Sequence, residues 1–203
     1  MANLFTYLKD KDDWTVFNDG PIIVSCAVFV KDETLYVMFE GTTEPTDWLS
    51  DFNFIPRIKK YNMVLHSGFY HQYEIVKDYI VDQVSKLYKE GMRVVVTGWS
   101  LGGALSQICV QDLNHHFNVK PILITFGSPK ASVNRATRKL IESCIDTDNS
   151  HEYLNRNDIV TIAPPGYWHI KTDWYKFFNF FGYFNPMKNH FVYEDIDTSA
   201  VWK

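Results

Sequence analysis

Arg93-Val94-Val95-Val96-Thr97-Gly98-Trp99-Ser100-Leu101-Gly102-Gly103-Ala104-Leu105-Ser106-Gln107 is the stretch whose reading decides the fold. Its run of valines predicts a short strand buried on both faces, as in a parallel sheet covered by helices. From Gly102 onward Ala104, Leu105, Ile108, Cys109 and Leu113 recur at helical spacing. Between the two lies Gly98-x-Ser100-x-Gly102. Small residues on either side of the serine let the strand and helix backbones approach closely. The serine itself is expected in a strained conformation that lifts its hydroxyl clear of the sheet. The free N–H groups that open the helix, and its dipole, then favour negative charge beside that hydroxyl. Such a turn activates a nucleophile.

Outward from this stretch the chain alternates strand and helix. Ile22 to Val30 and Leu35 to Phe39 flank the polar turn Lys31-Asp32-Glu33-Thr34, which predicts an antiparallel hairpin. Leu4, Phe5 and Leu8 suit a short helix before it. Phe69 to Tyr88, with apolar positions 69, 73, 76, 80, 84 and 87, predicts a long amphipathic helix closed by Gly91. Pro121 to Phe126 predicts a buried strand, residues 134–145 a helix, Glu152 to Leu154 a short strand, and Tyr167 to Phe178 an aromatic strand. The whole predicts a single α/β domain over residues 1–203. Its sheet is mostly parallel, with an antiparallel N-terminal hairpin and helices on both faces. Sites in such sheets form at the carboxyl ends of strands. Thr42, Ser100, Asp158 and His190 all follow predicted strands.

Composition narrows the function classes. Across 203 residues, 46% are hydrophobic, 22% charged and 16% aromatic, with a net charge of −4. That balance gives no electrostatic case for nucleic acid. Cys26, Cys109 and Cys144 sit in apolar patterns and read as core thiols; neither a disulfide framework nor a metal-ligand spacing is present. No run approaches membrane-spanning length, and no signal peptide is visible, so the expected compartment is intracellular by default. No metal or cofactor is expected.

A serine hydroxyl needs a base, and the base needs an acid to hold its tautomer. Asp158 fits the acid, because it lies just past a strand end in a loop of hydrogen-bonding residues. Asp146 and Asp148 precede that strand, on the far edge. His169 and His190 compete for the base. His169 falls inside the predicted strand 167–178, where a hydrogen-bonded strand histidine is the plainer reading. His190 follows that strand in a loop that brings an imidazole over the serine, and topology favours it. The oxyanion donors are the Leu101 N–H, from the turn itself, and Thr42, preceded by a glycine that admits close backbone approach.

These residues sit within a longer series of motifs. They are Phe39-Glu40-Gly41-Thr42 with Asp47-Trp48-Leu49, Val64-Leu65-His66-Ser67-Gly68-Phe69, Thr97 to Ala104, Thr125-Phe126-Gly127-Ser128-Pro129, and Asn157-Asp158-Ile159-Val160 before Pro164-Pro165. In content and order this series resembles the class 3 lipases, the fungal-type triacylglycerol lipases. The resemblance implies an α/β-hydrolase fold and hydrolysis of lipid or small carboxylic esters through Ser100, Asp158 and His190. It further implies Thr42 and Leu101 as oxyanion donors. Two residues depart from the family pattern: Glu40 stands where arginine is usual, and Trp99 replaces the histidine before the nucleophile, which should reshape the acyl pocket wall.

Thr43 to Pro56 carries too many apolar residues for an exposed loop. As a helix it would place Trp48, Leu49 and Phe52 on one face. It is expected to be a short lid over the acyl pocket that meets a lipid interface transiently, the alternative being a fixed wall. Two other functions share these features: acyl transfer to an acceptor other than water, and non-catalytic lipid binding on the same fold. Replacing His190 by alanine is expected to cost several orders of magnitude in ester turnover, measured on purified protein, as loss of a triad member does.

Overall fold

The computed structural model describes residues 14–41, 56–155, 157–170 and 173–177, the side chains of 56–60 and 173–177 excepted. The expected N-terminal helix at Leu4 to Leu8, the segment from Thr43 to Ile55 and His190 lie outside the described residues.

Seven strands form the main sheet, in the order β1-β2-β3-β6-β7-β8-β9. β1 (Thr15–Asp19), β2 (Ile22–Lys31) and β3 (Thr34–Phe39) are antiparallel to one another. The predicted hairpin is β2–β3, and Asp32 and Glu33 turn it with φ of 47° and 58°. Positive φ at both central residues is the geometry that matches the twist of the paired strands. From β3 the sheet is parallel through β6 (Arg93–Trp99), β7 (Ile122–Phe126), β8 (His151–Asn155) and β9 (Asp173–Phe177). β6 is therefore the middle strand, with three neighbours on each side.

Three features differ from the sequence-based expectation. β1 was not anticipated; its short, half-exposed run carries little apolar pattern, and pairing with β2 is what makes it a strand. A separate two-stranded sheet pairs β4 (Pro56–Lys60) with β5 (Met63–His66), so Pro56 opens a strand where it was expected only to end a segment. An edge strand tolerates proline at its first position. The predicted strand from Tyr167 begins only at Asp173, and Trp168 makes a single bridge to Ser132.

Helix α1 (Ser67–Leu87) and helix α2 (Leu101–Phe117) cover one face of the sheet. Phe69, Tyr73, Val76, Ile80 and Val84 of α1 pack with Leu105, Ile108, Cys109 and Leu113 of α2, over Leu35, Val37, Phe39, Val94, Val96 and Leu123. The opposite face carries its own buried set, Val95, Ile122, Ile124, Phe126 and Tyr153, joined by Trp99. Helix α3 (Arg135–Ser143) is capped by Asn134, whose side chain accepts from the Thr137 N–H at 2.8 Å. α4 (Ile159–Ile162) is a single turn after β8. No helix among the described residues is long and apolar enough to cross a membrane.

Cys26 and Cys109 are buried core thiols, as expected, and burial pushes Cys26 up to about 12. Cys144 is only partly buried, at the end of α3, because the amphipathic face of that short helix is carried chiefly by Thr137 and Ile141.

Close backbone contact decides where α2 starts. A Cβ on Gly98 would overlap the Gly102 carbonyl, and one on Gly102 would overlap the carbonyls of Phe39 and Glu40. Gly98→Ala is therefore expected to destabilise the fold by about 3 kcal/mol or more, since the obstruction is main chain and has no rotamer to escape into. Urea denaturation monitored by tryptophan fluorescence measures this, and a loss below about 1 kcal/mol would contradict it.

Candidate active site

Ser100 stands between the end of β6 and the first residue of α2, with φ 54° and ψ −125°. A non-glycine residue held there costs of order 1–3 kcal/mol and persists only when its surroundings over-determine it. Here they do: the Ser100 N–H donates to the Phe126 carbonyl at 2.8 Å, and its own carbonyl accepts from Gly103 N–H at 2.9 Å. One bond ties the turn to β7 and the other starts the helix. The side chain is left aside, and Ser100 Oγ is buried without a hydrogen-bond partner among the described residues. A hydroxyl in that state is available to a base or a substrate.

Leu101 is the first residue of α2 and is buried, so its N–H belongs to the unsatisfied first turn of the helix. The other expected donor, Thr42, lies outside the described residues, but Gly41 before it does not. A Cβ on Gly41 would overlap both the ring and the carbonyl of Trp99. The end of β3 is thus pressed onto the elbow from two sides, by Gly102 against Phe39 and Glu40 and by Trp99 against Gly41. Trp99 was expected in the acyl pocket wall; its ring packs on Gly41 and the Val95–Phe126–Tyr153 cluster.

Asp158 is the N-cap of α4, three residues past the end of β8, and is 1% exposed. One carboxylate oxygen accepts from the Val160 N–H at 2.9 Å. The Asp158 carbonyl accepts from Thr161 Oγ1 at 2.9 Å, and its N–H donates to the Asn155 carbonyl at 3.1 Å. These bonds fix the carboxylate at the opening of the turn, where it satisfies one of the free N–H groups. Ser100 and Asp158 therefore leave β6 and β8 at the same carboxyl edge of the sheet, with β7 between them.

Of the two candidate bases, His190 lies outside the described residues. His169 does not sit in a strand. It lies in the segment before β9, with Nε2 2.7 Å from the Thr161 carbonyl and Nδ1 3.6 Å from Glu152 Oε1. His66 packs in the core against Phe69 and Tyr167, at 4.6 and 5.9 Å between rings. His115 and His116 end α2, and His151 opens β8, at the opposite edge. Trp48, Leu49 and Phe52 lie outside the described residues.

Sequence reasoning missed the groups that hold the turn opened by Asp158 in place. Lys130 Nζ donates to the Ile162 carbonyl at 2.8 Å, and the Lys130 N–H donates to the Ala163 carbonyl at 2.8 Å. Partial burial lowers the pKa of this lysine. Gln107 Nε2 donates to Ser128 Oγ at 3.0 Å and to Glu152 Oε1 at 3.3 Å. A glutamate on the inward phase of a strand, at Glu152, was the signal that would have found this cluster. Among the described residues no group of side chains is arranged to hold a metal ion.

Comparison with known proteins agrees with this geometry. The family described as Lipase (class 3) matches residues 36–168, which include Ser100, Leu101 and Asp158. The lipase of Rhizomucor miehei is 28% identical over 144 residues, covering 66% of this chain and 38% of that protein. Secreted mono- and diacylglycerol lipase A of Penicillium cyclopium is 24% identical over 170 residues, covering 78% of this chain and 54% of that enzyme. A solved triacylglycerol lipase, whose catalytic centre is described as a serine protease triad, superposes with a TM-score of 0.68. It is 26% identical and covers 81% of this chain and 67% of its own. The chain thus spans roughly two fifths to half of the curated relatives' length. With a strained serine at the head of α2 and a capping aspartate after β8, this chain belongs to the class 3 lipase family, with an α/β-hydrolase fold.

Proposed function

We propose that this protein hydrolyses carboxylic esters of lipids, with Ser100 as nucleophile, His190 as base and Asp158 as the acid that orients it. The observation that carries the reading is Ser100 itself: positive φ, main-chain bonds fixing the turn, and a buried hydroxyl with no partner among the described residues. In this mechanism Ser100 Oγ attacks the ester carbonyl carbon while His190 takes its proton. The resulting oxyanion is held by the N–H of Leu101 and by Thr42. One such donor is typically worth about 3–4 kcal/mol in the transition state. Collapse of the intermediate expels the alcohol, which takes the proton from His190. Water, deprotonated by the same imidazole, then releases the acid and restores the serine.

Access shapes the substrate class. Ser100 has no exposed surface, so an ester reaches it only when a cover moves. We assign that role to residues 43–56, with Trp48, Leu49 and Phe52 on the covering face. Ile159 and Ile162 on the acid-bearing helix, and Trp168 beyond it, are 41%, 59% and 42% exposed. Apolar side chains left in water beside the acid support transient contact with a lipid surface. Trp99, wedged on Gly41, belongs in this reading to the wall that meets the acyl chain.

Ser100→Ala is expected to abolish ester hydrolysis while leaving thermal stability within about 1 kcal/mol or improving it, because alanine keeps the same backbone strain and loses a buried hydroxyl that makes no bond among the described residues. A fluorophosphonate should label the wild type and not the variant; equal labelling of both would exclude Ser100 as nucleophile. Across glycerolipids and phospholipids of graded chain length, Trp48→Ala is expected to depress turnover of long-chain, aggregated esters far more than of short soluble ones. Uniform depression would mean that residues 43–56 are a fixed wall.

A further inference from the structure

On the sheet face that packs against α2, Gly98, Thr125 and Glu152 stand in register on β6, β7 and β8. Glu152 is thus a carboxylate in a core position, with no exposed surface. Its Oε1 accepts from Gln107 Nε2 at 3.3 Å and lies 3.6 Å from His169 Nδ1. The other ring nitrogen of His169 is 2.7 Å from the Thr161 carbonyl. A carbonyl oxygen only accepts, so Nε2 carries a hydrogen. Nδ1 is the ring nitrogen turned toward the carboxylate, at ion-pair distance from Glu152 Oε1. A buried carboxylate without such a partner is costly.

The chain of contacts Gln107–Glu152–His169–Thr161 has a direction. Gln107 lies two turns into the helix that Ser100 opens, and Thr161 lies in the single turn that Asp158 opens. A helix of one turn does not hold itself. The last carbonyls of α4, on Thr161 and Ile162, accept from His169 and Lys130, both outside the helix. We propose that the Glu152–His169 pair is a positioning strut that sets the acid-bearing turn against the nucleophile helix. It rests on the catalytic reading of Ser100 and Asp158 given above, and it assigns His169 a task other than proton transfer at the serine.

The test uses Glu152→Gln, His169→Gln and the double variant of the full chain. Thermal denaturation is measured with kcat and KM on a short-chain chromogenic ester and the rate of fluorophosphonate labelling. Glutamine at 169 keeps a donor for the Thr161 carbonyl and removes the group facing Glu152. Each single variant is expected to fold, to keep KM within about twofold and to lose about 10- to 100-fold in kcat, the scale of a small misplacement away from the chemistry. The double variant should lose no more than the worse single one, because either change breaks the same connection. Folded variants with wild-type kcat, or losses that multiply in the double variant, overturn the strut. If Glu152→Gln does not fold, His169→Gln and His169→Asn, each cutting the connection at one end, must both lower kcat at unchanged KM or the strut is refuted. A wild-type protein that is not labelled at Ser100 removes the catalytic reading. Normal labelling and turnover in every variant removes the strut alone.

Discussion

Main-chain contact between β6 and α2 is the constraint on which the rest of this structure depends. The two backbones touch where Gly98 meets Gly102 and Gly103, and no side chain fits between them. A chain that turns from strand to helix in so little space must put one residue in a disfavoured conformation, and Ser100 is that residue. The strain is held because β6 is the middle strand and α2 is buried from Leu101 to Leu113. Relaxing Ser100 would mean moving a helix enclosed along most of its length. Rigidity at Ser100 is therefore a property of the core and not of the turn alone.

The enclosed core also holds buried polar groups, and two of their contacts fix one element against another. Asp112 accepts from the Tyr61 hydroxyl at 2.9 Å, which ties α2 to the β4–β5 turn. Thr137 Oγ1 accepts from the Val64 N–H at 2.8 Å, which ties α3 to β5. Ser106 returns its hydroxyl to the Gly102 carbonyl at 2.8 Å, inside the helix. Buried polar contacts of this kind add little net stability; their contribution is to make one arrangement of the elements much better than its neighbours.

Much of this was legible in the sequence because its causes are local. The valines of β6, the period of α1 and the glycines around Ser100 act within a few residues, and each predicted the element that is found. The position of Asp158, just past a short strand, was legible too. Elements made by distant partners were less so. Thr15 to Asp19 is a strand because β2 lies beside it, and Pro56 to Lys60 because β5 does. The aromatic run before Asp173 resembles a strand in composition, yet Trp168 is engaged by Ser132, and His169 by Thr161 and Glu152. Glu152 shows the same limit: its inward phase is readable, but that Gln107 and His169 meet it is a fact of three dimensions.

Under the proposed reading, the burial of Ser100 also changes what an affinity means for this protein. If the hydroxyl is sealed in the resting state, every reagent, large or small, reacts only with the fraction of molecules that are open. A measured dissociation or half-saturation constant is then the intrinsic one divided by that fraction. Two proteins with identical chemistry at the serine but different closing energies would differ in apparent affinity for every ligand by the same factor. A surface that favours the open form would shift all of those constants together. Selectivity ratios between soluble substrates report the pocket, and absolute values report the latch.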